Sequence, residues 1–344
     1  MHTRRIGLLL TCVLQLFAVA TASAVPPRFQ LVPLGVLGGE VESNSSCFLL
    51  RHHEAAAPAL MIDCGSPVEG ILRWEDLDRP GSSWRGKMER VQRVLLDVDA
   101  VLLTHTHLDH LFGLVLKSPL HLDGPLKGHT TEIWGGEATL STLRDSVFNG
   151  RVWGDFTRLP TPEHPAFRYR EIKTGERPEI AGFRVEAIPL AHPVPALAYL
   201  VTTGDVSYLH LGDTGPSEEV WSKARPLLRA RRLRAVALEA SFASAQDGLA
   251  RRTGHLTPAS LAGELAKLAG TAPSALAAAG AAGLQPMDAA RQLALRIAAS
   301  FEGVRILVHH IKPSSFDDVQ AELETLKAAG LPIEVLQQGK PLDF

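Results

Sequence analysis

The most informative part of the sequence is the stretch Thr104-His105-Thr106-His107-Leu108-Asp109-His110. The apolar run Ala100–Thr104 leads into it and predicts a buried strand. Side chains two residues apart in an extended segment point to the same side, so His105 and His107 can bind one cation. After the turn that follows, Asp109 and His110 can face a second cation. The stretch therefore predicts a metal-binding centre held at the end of a buried strand.

Further histidines and aspartates follow other predicted strands. His192 comes after Ile188-Pro189-Leu190-Ala191, Asp213 lies in Leu211-Gly212-Asp213, and the pair His309-His310 follows Ile306-Leu307-Val308. Neutral imidazole and carboxylate suit zinc, with manganese and iron as further candidates. A histidine-rich surface loop is the alternative interpretation of the opening stretch, but it leaves these downstream residues unexplained. Together they can complete two metal sites.

The rest of the sequence predicts mainly strands near its start and alternating strands and helices later. Helices are predicted over Met88–Leu96, over Ala259–Ala269 after the cap Thr257-Pro258, and from Ser314 to Gly330. No fixed-period repeat and no long linker divides the chain, so one domain over 25–344 is expected. The predicted strands are Leu31–Leu37, Cys47–Leu50, Ala59–Ile62, Ala100–Thr104, Phe183–Pro189, Leu197–Thr202, Val206–Leu211, Ala235–Glu239, Arg305–Val308 and Ile333–Leu336.

These motifs resemble the metallo-β-lactamase superfamily, whose signature is His-x-His-x-Asp-His in a four-layer αββα sandwich. Within it, the stretch His105–Pro119 is similar to the class II cyclic-nucleotide phosphodiesterases. Gly254-His255-Leu256-Thr257-Pro258 and His310-Ile311-Lys312-Pro313 resemble later motifs of that family, with Glu239-Ala240-Ser241 between them. The resemblance implies an α/β fold of the four-layer αββα type. The segment between Gly270 and Pro286, nearly all Ala, Gly, Ser and Pro, resembles the family less.

The resemblance also implies a ligand set for two divalent metal ions. It assigns His105, His107 and His192 to one ion, assigns Asp109, His110 and His310 to the other, and makes Asp213 the bridge. His309 competes with His310 for the last position, and the His-Ile-Lys-Pro reading of the family favours His310. Catalytic roles fall to Asp109, to His255 at the scissile phosphate or as a proton donor, and to Glu239 as the residue that orients His255. A histidine that only caps the helix start at Thr257 is the alternative for His255.

The activity implied is hydrolysis of a 3′,5′-cyclic nucleotide, with cyclic AMP as the expected substrate, to a nucleoside 5′-monophosphate by a metal-bridged hydroxide. No residue identifies the base, so cyclic GMP stays open. The scaffold hosts other chemistries, and a β-lactam, a lactone or another phosphodiester is the alternative substrate class. A secreted metal-scavenging protein is the non-enzymatic alternative. It would cluster its histidines in exposed tracts, whereas only His52-His53 fits such a tract.

Composition limits the partners. Hydrophobic residues make up 45% and charged residues 21% of the 344-residue chain, which indicates a soluble globular protein. Acidic and basic residues nearly balance, 37 against 35, so no overall positive field attracts a nucleic-acid polymer. This balance argues against a transfer-RNA processing nuclease. The expected partner is a small cyclic nucleotide, and a homodimer is possible.

The first 24 residues have the pattern of a secretory signal. Arg4 and Arg5 precede the apolar run Ile6–Ala20, and Ala22-Ser23-Ala24 offers a small-x-small cleavage site. The run is shorter than a membrane crossing needs, so a transmembrane anchor is the less favoured alternative. Cleavage after Ala24 predicts a periplasmic or secreted protein over 25–344. Cys47 and Cys64 lie on neighbouring predicted strands, where either a disulfide or two buried free thiols would fit.

Overall fold

Two β-sheets form the centre of the protein. The computed structural model describes residues 28–53, 59–75, 83–124, 126–272 and 285–344. The expected signal segment and most of the Ala/Gly-rich segment lie outside these residues. The strands are β1 (Phe29–Gly35), β2 (Cys47–His52), β3 (Ala59–Cys64), β4 (Val98–Leu102), β5 (Thr131–Gly135), β6 (Phe167–Glu171), β7 (Glu179–Ile180), β8 (Phe183–Leu190), β9 (Ala196–Thr203), β10 (Val206–His210), β11 (Leu233–Glu239), β12 (Arg305–His309), β13 (Ile333–Val335) and β14 (Leu342–Asp343).

Each sheet has seven strands and combines antiparallel with parallel pairing. The first sheet runs in the order β14-β1-β2-β3-β4-β5-β6 and the second in the order β13-β12-β11-β10-β9-β8-β7. Pairing is parallel from β3 to β6 and from β10 to β13, and antiparallel elsewhere. The carboxyl ends of parallel strands meet at one edge of a sheet, where α/β proteins place their ligands.

Helices cover the outer face of each sheet. Buried apolar side chains of the four helices before β6 pack on the first sheet, and those of four helices after β10 pack on the second. A third core, with Phe48 and Tyr199 among its largest members, fills the space between the sheets. The helices are α1 (Pro67–Trp74), α2 (Trp84–Leu96), α3 (Leu108–Lys117), α4 (Glu137–Thr142), α5 (Glu219–Arg229), α6 (Asp247–Thr253), α7 (Pro258–Ala269), α8 (Pro286–Ile297) and α9 (Phe316–Ala328).

This arrangement confirms the predicted four-layer αββα sandwich. The ten predicted strands and three predicted helices are present, with ends that differ by a few residues. Thr257 caps α7 as expected, because its hydroxyl accepts a hydrogen bond from the amide of Ser260 and Pro258 occupies the first turn. In the part of the chain that the structure describes, every helix is too short or too polar to cross a membrane.

Candidate metal centre

The functional side chains gather where strands of both sheets end. His105 and His107 follow β4, Asp213 follows β10, and His310 follows β12. His107 is the cap of α3, so Asp109 and His110 lie in the first turn of that helix. His192 comes directly after β8, which reaches the same end of the second sheet. Segments far apart in sequence thus place all seven expected ligands in one region between the sheets.

Two groups of these side chains have ligand atoms within 4.8 Å of one another. One contains His105, His107, His192 and Asp213, and His192 Nε2 lies 3.3 Å from His107 Nδ1. The other contains Asp109, His110 and His310. In that group His310 Nε2 is 3.3 Å from His110 Nε2 and 3.2 Å from Asp109 Oδ2. The division matches the two sets that the sequence implies.

Asp213 lies between the groups. Its Oδ1 atom is 3.3 Å from His110 Nε2 and 3.2 Å from His310 Nε2, while its Oδ2 atom is 3.8 Å from His105 Nε2. The residue is 1% exposed, and its Oδ1 atom has no hydrogen-bond partner among the described residues. A buried carboxylate with one oxygen toward each histidine group suits a ligand shared by two cations.

The hydrogen bonds at the far side of the rings fix which nitrogen can bind a metal. His110 Nδ1 donates to Asp63 Oδ2 at 2.7 Å, and His192 Nδ1 donates to the carbonyl of Gly254 at 2.9 Å. His105 Nδ1 lies 3.0 Å from the hydroxyl of Thr104, and its buried Nε2 atom has no partner among the described residues. A ring that donates through Nδ1 keeps the lone pair of Nε2 for a metal ion. The residues present therefore fit divalent metal ions.

Asp63 supports a ligand in each group. It accepts the bond from His110, and it also accepts the amide and the hydroxyl of Thr104, whose hydroxyl contacts His105. Asp63 is completely buried and adopts a left-handed backbone conformation with φ of 54°. The prediction from sequence missed this residue. Its position in Asp63-Cys64-Gly65, directly after an apolar strand, was the available signal.

Burial and neighbouring charges together shift the pKa values of the expected ligands. Burial lowers the pKa of His105 well below its ordinary value, and the neighbouring His110 adds to the effect. Burial also disfavours the charged form of His110, but the carboxylates of Asp213 and Asp63 outweigh it and raise the pKa of His110. Burial opposes ionisation of Asp213 as well, yet the nearby His310 and His110 hold its pKa well below the usual range. The pocket thus keeps an anionic carboxylate against imidazole rings.

His255 and Glu239 form a buried pair beside the two groups. His255 Nδ1 donates to Glu239 Oε1 at 2.9 Å, so its Nε2 atom is the nitrogen that can serve a substrate. Burial lowers the pKa of His255, but the charge and hydrogen bond of Glu239 outweigh burial and raise this pKa above the ordinary value. One ring nitrogen of His255 lies within 4.8 Å of ligand atoms of Asp213 and His310. Its atom nearest Asp213 is Nδ1, 3.9 Å away, and Glu239 already holds that atom.

Ser241 connects this pair to a ligand of the second group. Its hydroxyl donates to Glu239 Oε2 and lies 3.0 Å from His310 Nδ1. Because a hydroxyl has one hydrogen, the oxygen then accepts from the ring of His310. The ring thereby keeps its Nε2 atom toward Asp109 and Asp213. Ser241 belongs to the Glu239-Ala240-Ser241 motif, but the prediction from sequence gave it no role.

The two neighbouring histidines at the end of β12 point to different places. His309 Nε2 donates to the carbonyl of Leu211 at 3.1 Å, and its ring stacks on His210 between the sheets. His310 follows with a left-handed φ of 57° and joins the ligand group. Geometry therefore favours His310 over His309 as the last ligand.

His255 does not cap a helix, which was the alternative role considered for it. The residue that caps α7 is Thr257.

The two cysteines of the described chain are free and buried. Cys47 and Cys64 are directly opposite each other on β2 and β3. Burial raises the pKa of the Cys47 thiol well above its ordinary value, and its hydrogen bond with Cys64 adds to the effect. The sequence allowed either a disulfide or two buried free thiols, and the structure has the free thiols.

A family comparison matches residues 76–278, more than half of the chain, to the "Beta-lactamase superfamily domain". The chain belongs to this superfamily. Within the β-lactamase superfamily, the chain is 28% identical to a protein of Aliivibrio fischeri named "3′,5′-cyclic-nucleotide phosphodiesterase", over 78% of this chain and 82% of that protein. It is 26% identical to a protein of Yersinia pestis named "Probable 3′,5′-cyclic-nucleotide phosphodiesterase", over 98% and 95% of the two chains.

A solved structure has the same fold. The structure of unliganded yeast PDE1 superposes with a TM-score of 0.70 at 17% sequence identity, covering 92% of this chain and 100% of that one. At this identity the likeness concerns the fold alone. The comparison agrees with the two-sheet, four-layer arrangement.

Proposed function

We propose that the protein hydrolyses 3′,5′-cyclic nucleotides to nucleoside 5′-monophosphates. The two relatives named for this activity align over most of their own length and over most of this chain, which supports the proposal. The substrate is a small anion, consistent with a chain whose acidic and basic residues nearly balance.

The observation that carries the proposal is the position of Asp213. Its two oxygens face two separate groups of histidines, 3.2 Å from His310 and 3.8 Å from His105. Paired divalent ions supply an activated water and neutralise the charge of a phosphodiester during in-line displacement. We infer that His105, His107 and His192 hold one ion and that Asp109, His110 and His310 hold the other, with zinc preferred because the donors are imidazole and carboxylate.

The chain itself would supply orientation and a proton. Glu239 holds His255 by its Nδ1 atom, and this fixes the direction of Nε2. We infer that His255 Nε2 donates a proton to the 3′-oxygen as the bond from phosphorus to that oxygen breaks, while a water oxygen forms the new bond to phosphorus. The 5′-ester bond stays intact, so the product is the 5′-monophosphate. A histidine with a raised pKa suits the role of proton donor near neutral pH.

Two further parts of the proposal concern specificity and location. Cyclic AMP is the proposed preferred substrate. The charged start, short apolar run and small-x-small site of residues 1–24 support export and cleavage after Ala24. N-terminal sequencing of the protein recovered from its native compartment would start at Val25 if the cleavage proposal is right, and at Met1 or His2 if it is wrong.

A hydrolysis panel tests the activity. Purified, metal-loaded protein over 25–344 is offered cyclic AMP, cyclic GMP, bis(4-nitrophenyl) phosphate and nitrocefin, and products are separated by chromatography. We expect release of the 5′-monophosphate from a cyclic nucleotide and no turnover of nitrocefin. Turnover of nitrocefin alone would overturn the proposal in favour of a lactamase, and a 3′-monophosphate product would contradict the bond cleavage assigned to His255.

A further inference from the structure

A cavity lies on the outer face of the second sheet, away from the candidate metal centre. It has a volume of about 360 Å³, which is within the range of small-molecule sites. Residues of β8, β9 and β10 form its floor, and residues of α5 form one wall. Arg184 lies near the start of β8, whereas His192 follows the end of that strand. From Arg184 to Leu190 an extended strand advances about 20 Å, so the cavity is remote from the metal ligands.

Four cationic side chains line this cavity against a single carboxylate. The cations are Arg177, Arg184, Lys223 and Arg232, and the carboxylate is Glu186. The side chain of Glu186 is only 4% exposed, and it pairs with Arg177 at 2.7 Å and with Lys223 at 3.0 Å. Its negative charge is therefore already balanced inside the cavity. Glu186 thereby holds the side chains of Arg177 and Lys223 at the wall of the cavity.

The positive charges of the other two arginines, Arg184 and Arg232, are not balanced by a carboxylate among the described residues that line the cavity. Among the residues that the structure describes, Arg184 and Arg232 have no carboxylate within ion-pair distance. The Nε–H group of Arg232 donates a hydrogen bond to the neutral backbone carbonyl of Asp205. Both guanidinium groups therefore keep donors for an anion. Arginine offers a planar fork that binds phosphate through two parallel hydrogen bonds.

Hydroxyl groups also line the cavity, and that of Ser222 donates to the carbonyl of Glu219. The hydroxyls of Thr202 and Ser207 lie 2.9 Å apart on neighbouring strands, and both residues line the cavity together with Ser222 of α5. Leu200 and Leu227 add apolar surface. The cavity thus combines excess positive charge, hydroxyl groups and an apolar wall, a combination that suits a phosphate attached to an organic group better than a bare inorganic ion.

We propose that this cavity, lined by Arg184, Arg232, Arg177, Lys223 and Glu186, is a second binding site that takes a small organic phosphate of nucleoside-monophosphate size. Arg184 and Arg232 bind the phosphate, and Glu186 holds Arg177 and Lys223 in place beside it. The site is separate from the metal centre and does not depend on the reaction proposed there.

Equilibrium dialysis with radiolabelled AMP tests the site on metal-loaded protein. The wild type is compared with the double variant Arg184→Ala/Arg232→Ala and with a matched control, Arg229→Ala/Arg231→Ala. The control removes the same charge at the end of α5 from residues that do not line the cavity. We expect the cavity variant to bind one mole of AMP per mole of protein less than the control, with turnover of the cyclic nucleotide unchanged.

The difference between the two variants tests the cavity whatever the metal centre binds. Equal AMP stoichiometry in both double variants would overturn the proposal, and so would inorganic phosphate that competes as tightly as AMP. Adenosine should not compete, because it lacks the phosphate. Glu186→Gln provides a test in the opposite direction, because the amide oxygen still accepts a hydrogen bond at this position while the only negative charge among the described residues that line the cavity is removed. AMP binding should tighten about tenfold. Weaker binding in that variant would contradict the assigned charge balance.

Discussion

Asp63 accepts a 2.7 Å hydrogen bond from His110, and both side chains are completely buried. The residues come from different elements, since Asp63 lies near the end of β3 and His110 lies in the first turn of α3. The bond fixes the ring so that Nε2, not Nδ1, faces Asp213 and His310. A buried carboxylate behind a ligating imidazole both orients the ring and increases its basicity.

Asp63→Asn should weaken metal binding about 10–100-fold, because the amide is a poorer acceptor and can turn its NH₂ group toward the ring. Competition with a chromophoric chelator measures the affinity, and circular dichroism checks that the fold persists. Asp99→Asn is the matched control, since Asp99 is exposed on β4. Unchanged metal affinity in a folded Asp63→Asn protein would show that the ring does not need this carboxylate.

His309 and His310, at the end of β12, should respond differently to the same substitution. We expect His310→Gln to lose bound metal and nearly all hydrolysis, because His310 Nε2 faces Asp109 and Asp213. His309→Gln should keep its metal content, since His309 bonds the carbonyl of Leu211 between the sheets. Metal content by mass spectrometry and turnover number are measured on both proteins. Metal loss from His309→Gln with native-like stability would reverse the assignment.

The histidine-rich motif should be needed for activity and dispensable for folding. His107→Ala or Asp109→Ala removes an inferred ligand from a half-buried position, so hydrolysis should fall by at least about 10³-fold while the melting temperature changes little. His164→Ala is the control, because His164 is an exposed loop histidine. Full activity in either metal-loaded variant would remove the motif from the catalytic centre.

Local patterns predicted most of the strands that lie inside the sandwich, but they missed β5, which lies between β4 and β6 in the first sheet. The apolar run Val206–Leu211 became β10, which is buried along its whole length. Strand β6, Phe167–Glu171, was missed because it is the edge strand of the first sheet and four of its five residues are not fully buried. Helix α3 was missed for another reason. It begins inside the ligand motif at Leu108, where the pattern of metal ligands hides the helical spacing.

The ligands could be predicted from sequence, but the residues behind them could not. His105, His107 and His110 belong to one short motif. Asp63 and Ser241 act only through contacts with residues distant in the chain, His110 and His310, and no local spacing encodes such a contact. The order of strands within a sheet determines which carboxylate or hydroxyl ends behind which ring, and that order is a property of the whole fold.

Cys47 and Cys64 should both react as thiols once the protein is unfolded. The two side chains face each other on β2 and β3 but are free and buried, so reagent should not reach them in the native state. Titration with a thiol reagent should give no signal in native buffer and two thiols per mature chain in denaturant. A mass two units lower, with no thiols in denaturant, would show that the pair is oxidised. Cys64→Ala then tests whether metal affinity depends on that bond.

Glu186 should make the stability of the protein sensitive to acid. Burial opposes ionisation of this carboxyl, but hydrogen bonds from Lys223 and Arg177 outweigh it and hold the pKa of Glu186 below 4.5, its ordinary value. A carboxyl whose pKa is lower in the folded state stabilises the fold above its unfolded pKa, and this contribution is lost as pH falls through the folded pKa. Glu186→Gln should therefore lower the free energy of unfolding by about 1–3 kcal/mol at pH 7, and the difference from wild type should shrink below pH 4.5.

Urea unfolding at several pH values measures this difference, with Glu302→Gln as the control. Glu302 also pairs with an arginine, Arg231, but both side chains are about three-quarters exposed, so its loss should cost at most about 1 kcal/mol. If the two substitutions cost the same at pH 7, the buried position of Glu186 gives its ion pairs no added strength. A gap between Glu186→Gln and wild type that stays constant from pH 7 to pH 3 would instead trace the loss to packing, because a packing defect does not titrate.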